Sequence, residues 1–317
     1  MNPGPAHGTR PGRRGSTRQD RVRVLGEYLT RGWPQAVVAI SALSVMSLFV
    51  MPLAFVLSGA PVALVTLRRG ELAGLQVIGG VGLILGALSA LAGISPALAL
   101  AFAVTIWLPV WLGSLGLRRS ESHAAAVLIA ALLAATFALG MHLAVPDVTG
   151  WWRGWLDTWL TQSLPAADAA RYTRILEPAV PMLNALVAVA MMLSMIVAVL
   201  LGRAWQAALF NPGGFRREFH RLGLPRQLVV PLVAAGIAVV LVEGPALPLL
   251  RDLLIIGLFA FLFHGVAAVH RTVASRGLHP AWLAGMYLLM LLLPQMVLFL
   301  ACIGVVDAWL NRSGESA

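Results

Sequence analysis

The chain has 317 residues, 59% of them hydrophobic and 11% charged, with a mean hydropathy of +0.84 and a formal net charge of +10. Such a balance excludes an ordinary soluble domain and identifies an all-α, polytopic membrane protein. Every basic side chain other than histidine is arginine, placed mainly in the N-terminal segment and between apolar runs. That pattern sets membrane orientation, with anionic lipid headgroups as expected partners and no nucleic acid.

Residues 1–32 carry seven arginines against Asp20 and Glu27, which predicts a mostly disordered cytoplasmic tail. Towards its end Val22, Leu25 and Leu29 share a helical face, the mark of a short amphipathic helix at the headgroups. A single transmembrane domain is expected over 33–310, with 311–317 a short tail. The run 34–67 is too long for one span and short for two. Arg68 and Arg69 lie beyond it, so a tight pair of helices is expected, broken at Met51–Pro52 or at 58–61, with a re-entrant segment as the alternative.

Two spans follow, 71–93 and 96–117, returning to Arg118 and Arg119. Gly82, Gly86 and Ala90 recur every four residues, a spacing that lets membrane helices approach closely and is assigned to packing. Residues 122–145 cross outward. The segment 146–178 then holds Trp151, Trp155 and Trp159 on one face, predicting an interfacial helix on the outer surface. Residues 179–202 return, with Asn184 and the core methionines Met191, Met192 and Met195. After the loop 203–226, spans are expected at 227–247, 253–270 and 279–305, with an external turn at 243–252. The sum is about nine membrane segments, eight if the first pair is one broken helix. The N-terminus then lies inside and the C-terminal tail outside, with Asp307, Ala308 and Trp309 capping the last span at the outer interface.

The loop 203–226 has five arginines against Glu218 and marks a cytoplasmic surface. Asn211, Pro212, Gly213 and Gly214 signal a turn, and a helix follows in which Phe215, Phe219 and Leu222 separate from Arg216 and Arg217. Asn211, Gly213, Gly214, Phe215, Arg216, Arg217 and Phe219 are therefore the docking candidates, for the inner leaflet or for a cytoplasmic or membrane protein partner. The stretch Asn211 to Arg216, the early Leu67 to Gly70 and the closing Gly304 to Trp309 resemble the YybS-like family of predicted bacterial membrane proteins, a domain of unknown function. The chain departs from that pattern after Trp309, where Leu310, Asn311 and Arg312 replace an acidic-aromatic-arginine ending. The resemblance implies a likeness to substrate-binding subunits of energy-coupling-factor vitamin transporters, and through it a transport-related role.

Ionisable and amide groups inside spans point to a site, because their burial in lipid is costly. Asn184, His264 and Gln295 are the ligand-pocket candidates for a small solute; the competing reading makes His264 a neutral histidine bonded between helices. His142 and Glu243 lie near span ends, where water accounts for them. The lone Cys302 forms no intrachain disulfide and reads as a small core hydrophobe. No metal-ligand, cofactor or catalytic signature occurs, neither HExxH nor GxSxG, so no enzyme is expected. The leading expectation is a transport-associated, small-solute-binding protein of a bacterial cytoplasmic membrane; a non-transporting scaffold for envelope assembly or partner recruitment is the second.

Overall fold

A computed structural model describes residues 18–47 and 54–310. The expectations for residues 1–17, the break at Met51–Pro52 and the tail 311–317 lie outside the described residues. All regular structure within them is helical. Five stretches are long and apolar enough to cross a membrane, and four shorter apolar helices accompany them. Such helices suit lipid, which offers the backbone no hydrogen bonds, because each satisfies its own.

Helix α1 (Arg18–Arg31) lies along one end of the bundle, with Gly26 against Trp205 and Leu209 and with Leu29 fully buried. Its apolar face thus meets protein. Helices α2 (Trp33–Ser47) and α3 (Ala54–Arg69) form the expected pair, since Arg69 Nε donates to the Thr30 carbonyl at 2.8 Å and brings the end of α3 back beside the end of α1. The proposed break at 58–61 is not there; Pro61 lies inside α3. Helix α4 (Glu71–Leu91) leaves this end and α5–α6 (Ala97–Phe102 and Leu108–Ser120) returns to it, as the Arg119–Glu71 ion pair at 2.8 Å and the Arg118–Leu67 carbonyl bond show. Between α5 and α6 the turn widens to π geometry over Ala103–Trp107. Pro109 has no N–H to offer the carbonyl of Thr105 and its ring pushes that carbonyl aside, which is the expected cause.

The glycine stripe does not pack as expected. A methyl group on Gly82 would meet nothing, and on Gly86 only Ala99 at 3.9 Å, whereas one on Gly74 or Gly80 would collide with Trp111 or Val37. The buried face of α4 is Gly74, Val77, Ile78, Val81, Leu85 and Ser89, because the three-and-four spacing of its larger side chains sets the rotation of the helix.

Helix α7 (His123–Ala144) runs to the opposite end, where α8 (Val148–Ser163) and α9 (Ala166–Leu176) lie. Trp151, Trp155 and Trp159 are exposed on one face of α8, with Trp155 and Trp159 stacked at 6.4 Å, while Trp152 turns inward. Helix α10 (Leu183–Phe210) returns through the centre, packed on α3, α6, α7 and α13, and buries Met192 and Met195. Helix α11 (Gly214–His220) follows the turn, in which Gly213 takes φ 80°, a left-handed conformation that glycine adopts without strain.

Helix α12 (Val229–Leu241) leads out and α13 (Leu247–Ser275) comes back. The last expected span is two helices, α14 (Ala281–Leu292) and α15 (Gln295–Leu310), divided at Leu293 and Pro294. Arg271 Nη2 donates to Asp307 Oδ2 at 2.6 Å, so α15 runs parallel to α13 and ends at the arginine-bearing end. This corrects the expectation of a C-terminal end opposite the loop and of an outer cap at Asp307. Twelve residues make α14 about 18 Å long, and the chain turns back at Pro294, where no helical N–H is available.

The ends can be tested directly. In a Cys302→Ser background, Arg31→Cys, Arg276→Cys and Leu310→Cys are expected to react with an impermeant maleimide from one side of sealed vesicles and Glu243→Cys from the other. Labelling of Leu310→Cys with Glu243→Cys instead would reject the returning α14–α15 pair.

Candidate functional site

Helix α13 carries the polar centres. Near its beginning, Asp252 is 2% exposed. One carboxylate oxygen, Oδ2, accepts from Asn184 Nδ2 at 2.6 Å and from His142 Nε2 at 2.9 Å. Trp152 Nε1 donates to Asn184 Oδ1 at 3.2 Å. One carboxylate therefore joins α7, α8, α10 and α13, far from the arginine-bearing end. Every group is of the type a buried carboxylate needs, a donor without a competing negative charge.

Twelve residues further, about 18 Å along the helix, His264 makes the second centre. The Leu224 N–H donates to His264 Nδ1 at 3.1 Å, and His264 Nε2 lies 2.8 Å from Asp307 Oδ2. Because Nδ1 accepts, the ring proton sits on Nε2 and is donated to Asp307. Arg271 binds the same carboxylate oxygen and gives a second donor to the His220 carbonyl at 3.0 Å. His264 and Arg271 thus share a face, as their spacing implies, and Asp307 is what they share. Outside the spans, partial burial, then Arg216 and Arg271, hold the His220 imidazole below its ordinary pKa. Among the described residues no group of three His, Cys, Asp or Glu is placed to hold a metal ion.

The three pocket candidates lie apart. Asn184 belongs to the Asp252 centre and His264 to the Asp307 centre, while Gln295 is exposed at the start of α15. Asn184 and His264 differ in depth, because Asp252, which holds Asn184, stands about 18 Å along α13 from His264. Sequence reading passed over Asp252 by placing it in an external turn. Pro248 near the first position of α13 was the available signal, since proline favours the start of a helix and would have drawn Asp252 into it. His142 is also not a water-exposed span end; its side chain is 16% exposed and committed to Asp252.

The docking candidates divide. Asn211 caps α10 and its carbonyl accepts from the Gly214 N–H at 2.9 Å; Gly214 is buried. Phe215 and Phe219 stack at 5.8 Å and present edge-on contacts to His123, and Phe219 also meets His270 at 5.4 Å. The aromatic face of α11 is turned into its own bundle, which corrects the picture of a face lying on the leaflet or docking a partner. An amphipathic helix buries its apolar face wherever the nearest apolar surface is, and here α7 and α13 supply it. Arg216 and Arg217 are exposed.

Comparison with protein-family models, with curated proteins and with solved structures finds no match to this chain.

Proposed function

We propose that the chain is a multi-pass protein of a bacterial cytoplasmic membrane, its arginine-bearing end cytoplasmic, acting as a transport-associated component that links protonation of buried carboxylate–histidine pairs to handling of a small solute. The arginine clusters support the orientation. Eight crossings, by α2, α3, α4, α5–α6, α7, α10, α12 and α13, with α14–α15 dipping in and returning, are the proposed arrangement. Kinship with the YybS-like family stays part of the proposal, resting on the short motifs around Asn211 and Asp307.

The observation that carries the reading is Asp252, almost wholly buried inside an apolar helix and held by His142 and Asn184. Helices are tied together more cheaply by small and apolar side chains, so an ionisable residue at this depth favours a working group. A histidine–carboxylate pair can take up one proton and become an ion pair without leaving a lone buried charge. Two such pairs on one helix, Asp252–His142 and His264–Asp307, support proton handling at both ends of α13.

The test is made in proteoliposomes holding a trapped pH dye, challenged with a small-molecule extract of the expression host. Wild type is expected to change the internal pH, and Asp252→Asn to lose most of that response. An identical trace from Asp252→Asn, or no response from wild type beyond that of empty liposomes, would remove the proton-linked reading and leave the scaffold role.

A further inference from the structure

At the arginine-bearing end, on the side of α11 away from the Asp252 centre, the ends of α3, α6 and α10, the link from α6 into α7, and Gly214, Arg217 and Glu218 of α11 with the following Arg221 line a cleft of about 580 Å³. Four guanidinium groups line it, those of Arg118, Arg203, Arg217 and Arg221, against two carboxylates, Glu121 and Glu218. Two of the arginines are already committed. Arg203 is paired with Glu218, its Nε donating to Oε2 at 2.8 Å, and Arg118 donates to the Leu67 carbonyl at 2.7 Å. The guanidinium groups of Arg217 and Arg221 have no hydrogen-bond or carboxylate partner among the described residues. They line the same cleft, Arg217 from α11 and Arg221 from the residue that ends it, and like charges brought together there repel.

We propose that this cleft binds a phosphate monoester, with Arg217 and Arg221 as its principal ligands. Guanidinium forks match phosphate oxygens two at a time, and a dianion bridging the two free arginines removes their repulsion. The surplus of two positive charges in the lining equals the charge a phosphate monoester carries near neutral pH. Glu121, exposed at the rim in a left-handed conformation with φ 55°, is placed to accept from a hydroxyl or amino group on the rest of the ligand. Arg203 and Arg118, fixed by their own bonds, give the site a preset positive wall that needs no reordering when the ligand arrives. The volume holds more than inorganic phosphate, so the ligand carries an organic group. It is either a soluble phosphorylated metabolite or the monoester headgroup of phosphatidic acid, since the cleft lies where the helices end.

The test uses the full chain in detergent at physiological salt, titrated with glycerol phosphate by calorimetry and mixed with phosphatidic acid for native mass spectrometry. Wild type is expected to bind one of the two. The double variant Arg217→Gln/Arg221→Gln is expected to weaken that binding at least tenfold, and Arg276→Gln, an arginine outside the cleft, to leave it unchanged. Binding of glycerol phosphate identifies a soluble source, and retention of phosphatidic acid alone a headgroup. Failure of wild type to bind either probe, equal loss in Arg276→Gln, or undiminished binding by the double variant overturns the proposal. None of these outcomes depends on Asp252, so the proton-linked reading is judged separately.

Discussion

Replacing Asp252 by leucine is expected to lower the thermal midpoint of the protein in nanodiscs by on the order of 10 °C, whereas Asp252→Asn should shift it little. The difference lies in what the neighbours lose. Leucine removes the acceptor for both Asn184 Nδ2 and His142 Nε2. Each buried donor left without an acceptor costs about 1–3 kcal/mol, because it keeps its desolvation penalty, and two are stranded here. Asparagine keeps a carbonyl oxygen in the same place and stays within about 1 kcal/mol. A triple change of Asp252, His142 and Asn184 to leucine should recover much of the loss, since an all-apolar contact strands no donor. A small effect of Asp252→Leu alone would show that the carboxylate does not hold α7, α10 and α13 together. Asp252→Asn thus separates the two roles, being expected to keep the fold while losing most of the proton-linked response.

A comparable loss is expected from Gly265→Leu or Gly304→Leu, at the crossing of α13 and α15. A side chain on Gly265 would run into the Leu300 carbonyl and come within 3.1 Å of the Gly304 nitrogen; one on Gly304 would meet the Phe261 carbonyl and the Gly265 nitrogen at 2.8 Å. The obstacles are backbone atoms of two rigid helices, so the helices themselves must separate. Overpacking of this kind costs about 1–3 kcal/mol and at times more. Separation would also pull Asp307 from His264 and Arg271, so the expected loss exceeds that of the packing alone. Gly285→Leu on α14 is the control, since nothing lies within reach of a Cβ there. Thermal unfolding of the three variants checks the prediction; equal midpoints for Gly265→Leu and Gly285→Leu would reject a close crossing.

Several elements were legible from local pattern. Trp151, Trp155 and Trp159 recur at four-residue spacing and do share an exposed face. Asn211 to Gly214 reads as a turn, and Gly213 has the backbone conformation that turn requires. The pairing of α2 with α3 followed from Arg68 and Arg69, because charge clusters identify chain segments that must share a side. The division of α14 from α15 did not follow in the same way. Pro294 was visible as a break, yet a break alone leaves open whether the chain continues across or turns back. The answer lies in the Arg271–Asp307 pair, whose members sit on separate helices.

Composition and the spacing of arginines determined that this is a membrane-type helical chain and which loops gather at one end, because a backbone in lipid must satisfy its hydrogen bonds within its own helix. Those are properties of single segments and can be read along the chain. Which buried groups meet is a property of pairs. Asp252 finds Asn184 and His142 at sequence separations of 68 and 110, and His264 finds Asp307 at 43. Helix rotation and crossing decide those meetings, through close contacts such as Gly265 with Gly304. Only the packed bundle therefore placed Asn184, His264 and Gln295 apart, gave α13 its two carboxylate–histidine pairs, and closed the aromatic face of α11 against its own neighbours.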